Sequence, residues 1–234
     1  MNQPHSLPST SQQNICYCGV PESFFRRGSA MRRWGKRHLL WMIVDYIPTI
    51  EKVVQTSIYA SAFREWSNVC GLTFEQTTQD VLADFLILTK PIDGAGGTLA
   101  QHELPYGNDV QLRGWFDVGD KWTVSGPISQ AAIDLKAVAT HEFGHGIGLG
   151  HLKTPGSLMN PIYDPAIRSP QDADIEEAVL RYGDAIEPRP DPPSVPSPES
   201  PPCDVDYPVG GMIEMASGAK YPMLVQNNGK WGGE

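Results

Sequence analysis

Between residues 31 and 187 the chain alternates short apolar blocks with polar and glycine-containing stretches, the pattern of a folded domain. RHLLWMIVDYI, from residue 37, is a nearly unbroken apolar run that predicts a first strand buried on both faces. Residues 49–68 place Ile50, Val53, Val54, Ile58, Ala62 and Trp66 on one helical stripe, closed by Gly71. LTFEQ and ADFLILT predict two further strands, TLAQHE and GWFDV two shorter ones. Helices are expected over 129–149 and over 171–182, the second ending at Gly183. Strands, a helix, more strands and then two helices imply an α+β domain, a mixed sheet covered by helices.

The flanks read differently. Residues 1–30 are polar and contain Cys16-Tyr17-Cys18-Gly19, while residues 188–202 carry eight prolines, which favour an extended spacer. The glycine-rich tail at 203–234 is too short to build a core of its own. At 234 residues and 40% hydrophobic content, the chain can bury one proper core with extensions to spare. A net charge of −9 argues against a nucleic-acid partner. No apolar stretch is long enough to span a membrane, and residues 1–19 lack the basic start and apolar centre of a signal peptide. Cysteines 16, 18, 70 and 203 are too few and too scattered for a disulfide framework, and a monomer is expected.

The chemistry concentrates in HEFGHGIGLGH, residues 141–151. His141 and His145 are four apart, so a helix stacks them on one face, where two neutral imidazoles can hold one zinc ion. Gly148 stands where the helix must stop, because glycine tolerates the left-handed backbone that turns the chain back and brings in His151. Glu142 lies beside the first ligand, within reach of a water at an open fourth position. Such a site lowers the pKa of bound water from about 15.7 to about 7, with Glu142 to accept its proton and pass it to a leaving amine. This is hydrolysis of a peptide bond without a covalent intermediate. A non-catalytic zinc protein on the same fold is the competing class, but it would have no need of a base at position 142.

HEFGHGIGLGH followed by SLMNP at 157–161 resembles the matrixins, a branch of the metzincin zinc endopeptidases. The likeness follows the order of elements from about residue 34 to 183, through AFREWSNVCGLTFEQ, DGAGGTLA, FDVGDKW and ADIEEAVLRYG. It implies a mixed, twisted five-stranded sheet with three helices, and Met159 as an apolar floor beneath the histidines. It also implies that an extended protein substrate adds as a strand along TLAQH, at Leu99 and Ala100. Pro161 and Tyr163 would then wall the main specificity pocket, with the small Ala137 at its base leaving room for large apolar residues. Export is the family's habit, although no leader pattern is visible in residues 1–19.

Three further features follow from the resemblance. YCGVPE at 17–22 matches a latch in which Cys18 takes the open zinc position, with Tyr17 in place of the family's arginine. The basic run at 26–37 (Arg26, Arg27, Arg32, Arg33, Lys36, Arg37) would suit cleavage by an activating protease. DGAGGT and FDVGD match a calcium loop, with carboxylates from Asp93, Asp117 and Asp120 and carbonyls from Gly94, Gly96 and Thr98. A second, structural zinc is not expected. Gln101 and Trp115 replace two of its histidines, and His102 alone cannot hold it.

Overall fold

The computed structural model describes residues 16–20, 32–107, 109–124 and 132–185, with the backbone of 212–214 and 220–222. The chain separates into two compact units, residues 1–187 and 188–234. In the second unit Met212–Glu214 pairs antiparallel with Lys220–Pro222. The proline-rich spacer lies outside the described residues.

The first unit is built on a six-stranded sheet. In chain order its strands are β1 (Tyr17–Cys18), β2 (His38–Ile43), β3 (Thr73–Gln76), β4 (Phe85–Lys90), β5 (Thr98–His102) and β6 (Leu112–Asp117). Across the sheet they run β1-β5-β6-β4-β2-β3. The pairs β2–β3, β2–β4 and β4–β6 are parallel, whereas β5 lies antiparallel to β6. The five expected strands are all present. The sixth is the cysteine segment, which pairs parallel with β5. Three helices accompany the sheet: α1 (Lys52–Ser67), α2 (Leu135–Gly146) and α3 (Asp172–Tyr182). Two short parallel strands, β7 (Trp122–Thr123) and β8 (Ile133–Asp134), lead into α2.

Two elements differ from expectation. The second helix starts at Leu135 instead of 129, because Asp134 caps it, accepting hydrogen bonds from the amides of Lys136 and Ala137. Residues 129–131 lie outside the described region. The buried face of α1 is Gln55, Tyr59, Ala62, Phe63 and Trp66, and Val53 points to solvent. Gln55 decides this rotation: its amide accepts from Ile47 N and donates to Ile47 O and Ile50 O, closing the loop before the helix. A buried amide with every bond satisfied outweighs one valine left in water.

An aromatic cluster between sheet and helices makes the core. Phe63 of α1 stacks on Phe143 of α2 at 3.8 Å between centroids, on Trp41 at 5.3 Å, and meets Phe74 and Phe85 from the sheet. Trp66 donates from its indole to Thr140 O at 2.8 Å, and Trp34 donates to Gly146 O at 2.9 Å. Helix α2 is thus gripped at both ends of the segment that carries the histidines. Truncating Phe63→Ala should cost about 3–5 kcal/mol, the cost of a large core cavity. Urea unfolding of the two chains side by side checks this, an unchanged midpoint contradicting the role given to Phe63.

Candidate active site

His141 and His145 project from one face of α2, and their ring centroids lie 4.8 Å apart. The helix ends at Gly146, Gly148 takes φ +97°, and the reversed chain brings His151 to within 4.8 Å of His145 between ring centroids. Cys18 completes the group: one ligand atom from each of Cys18, His141, His145 and His151 lies within 4.8 Å of all the others. His141 Nε2 and His145 Nε2 are 3.1 Å apart, and Cys18 Sγ is 3.3 Å from His145 Nε2. Zinc–nitrogen bonds of about 2.0–2.1 Å in a tetrahedron put neighbouring nitrogens roughly 3.4 Å apart, so these spacings suit one ion.

The far side of each helical ring fixes its tautomer. His141 Nδ1 is 2.7 Å from Leu158 O, and His145 Nδ1 is 2.8 Å from Leu149 O. A carbonyl only accepts, so each Nδ1 carries the proton and each Nε2 lone pair faces the shared centre. Burial keeps both rings neutral, lowering His141 to about 4 and His145 well below its ordinary value. Glu142, buried in the same cleft, is pushed by desolvation up to about 8, and the nearby Cys18 thiol opposes the rise.

Met159 is fully buried, and its thioether fills the notch left by Gly144 on the ligand helix. A β-carbon on Gly144 would stand 2.5 Å from Met159 Sδ and 2.8 Å from Trp66 Cζ2. The turn that carries Met159 hangs on a residue not singled out from the sequence. Asp174 is fully buried and accepts from Ser157 Oγ at 2.5 Å, Leu158 N at 2.8 Å, Met159 N at 3.1 Å and Gln171 N at 2.9 Å. The available signal was an acid three residues after Gln171 at the start of α3, a capping-box position.

A pocket opens beside the histidines, lined by Leu99, Ala137, Val138, Pro161 and Tyr163 among others. The expected pocket residues therefore converge. Tyr163 is fixed by the Asp134 amide, which donates to its hydroxyl at 3.0 Å. The segment carrying Cys18 threads between the two sides of the cleft. Tyr17 N donates to Gly97 O, Cys18 N to Pro161 O and Gly19 N to Ala100 O, each at 2.9 Å, and Tyr163 N donates to Cys16 O at 3.0 Å.

The acidic loop also assembles. Asp117 accepts from the amides of Asp93, Gly94 and Gly119, Asp93 accepts from Thr98 N, and Asp120 accepts from Gly96 N. The second oxygen of Asp120 is buried with no hydrogen-bond partner, and burial raises this acid's pKa. Gln101 and Trp115 face each other across β5 and β6. Lys90 lies over the Trp115 ring at 4.4 Å and donates to Gln101 Oε1 at 3.3 Å. His102 is buried, with Nδ1 2.6 Å from Glu103 O.

In the basic run, Arg32 lies over Tyr106, Lys36 pairs with Asp84, and Arg33 and Arg37 reach the backbone of Arg181 and Tyr182. Arg26 and Arg27 lie outside the described residues. No helix among the described residues is long and apolar enough to cross a membrane.

This arrangement meets its counterpart in known proteins. Residues 33–182 match the profile of the matrixin peptidase family. The chain belongs to the matrixins. It is 34% identical over 182 residues to matrix metalloproteinase-25 of Mus musculus, a match covering 66% of this chain and 29% of that one. It is 34% identical to the macrophage metalloelastase of Rattus norvegicus, across 80% of this chain and 41% of the relative. With matrix metalloproteinase-18 of Xenopus laevis it shares 35% identity, covering 70% and 36% of the two chains. The match thus spans less than half the length of each of these relatives. Residues 33–182 form a metalloendopeptidase domain of matrixin type.

Asp174 offers a direct check on this metal centre. Asp174→Ala removes the acceptor shared by the buried Ser157 Oγ, Leu158 N and Met159 N and by Gln171 N, costing about 3 kcal/mol of stability. It also loosens the Leu158 carbonyl that orients His141, so zinc affinity should fall about 10–100-fold. Competition with a chromophoric chelator reads the second effect, and undiminished affinity would contradict this role of Asp174.

Proposed function

We propose that this chain is a zinc-dependent endopeptidase that hydrolyses peptide bonds in extended protein substrates, and that it is latent while Cys18 occupies the metal position. The observation that carries this is the shared focus of three imidazoles and one thiol, with a buried carboxyl alongside. His141, His145 and His151 would hold the ion, and neutral nitrogen donors with a thiolate suit zinc. When bound, zinc supplies a Lewis acid for the scissile carbonyl and lowers the pKa of water to about 7. Beside such an ion Glu142 would be held as a carboxylate, the state of a base. Glu142 then takes the proton of the attacking water and delivers it to the departing amine.

Leu99 and Ala100 on the cleft edge would offer the backbone against which a substrate strand lies, and Ala137, Pro161 and Tyr163 would shape the neighbouring pocket. Latency is supported by the docking of Cys16–Gly19 along that same edge, where a substrate would lie. Cleavage within 26–37 by an activating protease would separate latch from domain. A calcium ion is proposed for the Asp93, Asp117 and Asp120 loop, with Gly94, Gly96 and Thr98 completing the oxygen shell. The buried, unpaired oxygen of Asp120 supports it.

Two measurements test this function. Glu142→Gln should keep one zinc per chain yet lose about 10²–10⁴-fold in turnover of a peptide substrate, and near-normal turnover would overturn the role of Glu142. Cys18→Ser should cleave that peptide without prior treatment, whereas the unaltered chain should need a thiol modifier or tryptic trimming of residues 1–30. Equal activity of the two untreated chains would remove the latch.

A further inference from the structure

We infer that Cys16 and Cys18 form an oxidation site whose intramolecular disulfide exists only when the segment has left the cleft, so that a small-molecule disulfide locks the enzyme open. It rests on the proposed latch. In the docked state the two sulfurs have different surroundings. Cys18 Sγ faces His145 at 3.3 Å and accepts from Val20 N at 3.4 Å. Cys16 is 1% exposed, and its thiol lies against the Gly97 backbone with Asp120 nearby. Between them the backbone is held extended by Tyr17 N to Gly97 O, Cys18 N to Pro161 O and Tyr163 N to Cys16 O.

That extended backbone forbids the bond. A strand advances about 3.3 Å per residue, which puts the β-carbons of residues two apart roughly 6.6 Å from each other. A disulfide needs them at about 3.8 Å. Closing a ring across one intervening residue therefore bends the chain, and a bent segment cannot present its amides to Gly97, Pro161 and Ala100 together. The Cys18 sulfur in that ring also has no thiolate to offer a metal. Docked latch and closed disulfide exclude one another. Neighbouring thiols in a tight ring make a strained, easily reduced disulfide, the labile kind suited to control.

The chemistry balances with a low-molecular-weight disulfide, RSSR, as oxidant. In the undocked segment the Cys18 thiolate attacks one sulfur of RSSR, whose S–S bond breaks and releases one thiolate. The Cys16 thiolate then attacks the Cys18 sulfur and expels the second. Two protein thiols lose their protons and two electrons, and RSSR ends as two RSH.

The test uses the full chain incubated with glutathione disulfide, with peptide cleavage followed in parallel with mass mapping of the cysteine-containing peptides. Activity should rise at least about tenfold as the peptide containing Cys16 and Cys18 loses about 2 Da, and dithiothreitol should reverse both changes. Cys16→Ser should stop at a glutathione adduct on Cys18. A lasting glutathione adduct on Cys18 in the unaltered chain, a bond from either residue to Cys70 or Cys203, or no oxidation at all would each overturn the inference if Cys18→Ser is active. Inactivity of untreated Cys18→Ser would instead remove the latch beneath it, and the inference with it.

Discussion

Everything at this site depends on the imidazole nitrogens of α2 being aimed at one point before any ligand arrives. The aiming is done from behind: Leu158 O holds His141 Nδ1 and Leu149 O holds His145 Nδ1. Both carbonyls belong to the chain that returns after the helix, so the turn at Gly148 has two tasks. It brings His151 to the centre, and it supplies a backbone acceptor that orients a ring already on the helix. Burial keeps His141 and His145 neutral, and their nitrogens, gathered with that of His151 at one buried point, suit a cation.

The return chain is in turn supported from α3. Asp174 collects the amides of Leu158, Met159 and Gln171 and the Ser157 hydroxyl on one buried carboxylate. The last helix, though remote from the cleft in sequence, therefore fixes the carbonyl that fixes His141. Met159 closes the same unit from below, filling the space that Gly144 leaves on the ligand helix. The rigidity of the centre is a property of three segments packed together.

The cleft owes its form to the one antiparallel edge of an otherwise parallel sheet. Strand β5 turns its free side toward the segment Tyr17–Gly19, and Pro161 to Tyr163 form the opposite wall. An edge strand with unpaired amides and carbonyls is a template for any extended peptide. In this chain its own N-terminal segment occupies that template. The edge that would bind a substrate holds a segment whose thiol stands 3.3 Å from His145 Nε2, so the proposed latch and the cleft share one structure.

Much of this was legible in the sequence, because it depends on local spacing. Four residues between histidines means one helix face, a glycine at 148 means a left-handed turn, and the apolar blocks gave five strands and three helices in the right order. Local pattern failed where a polar group overrode it. Asp134 started α2 six residues later than the apolar stripe suggested, and Gln55 turned the face of α1 away from Val53. The bracing by Asp174 and the burial of Cys16 join residues far apart in the chain. Only the packed fold decides such meetings, since a hydrogen bond or a buried contact between distant segments leaves no period in the sequence.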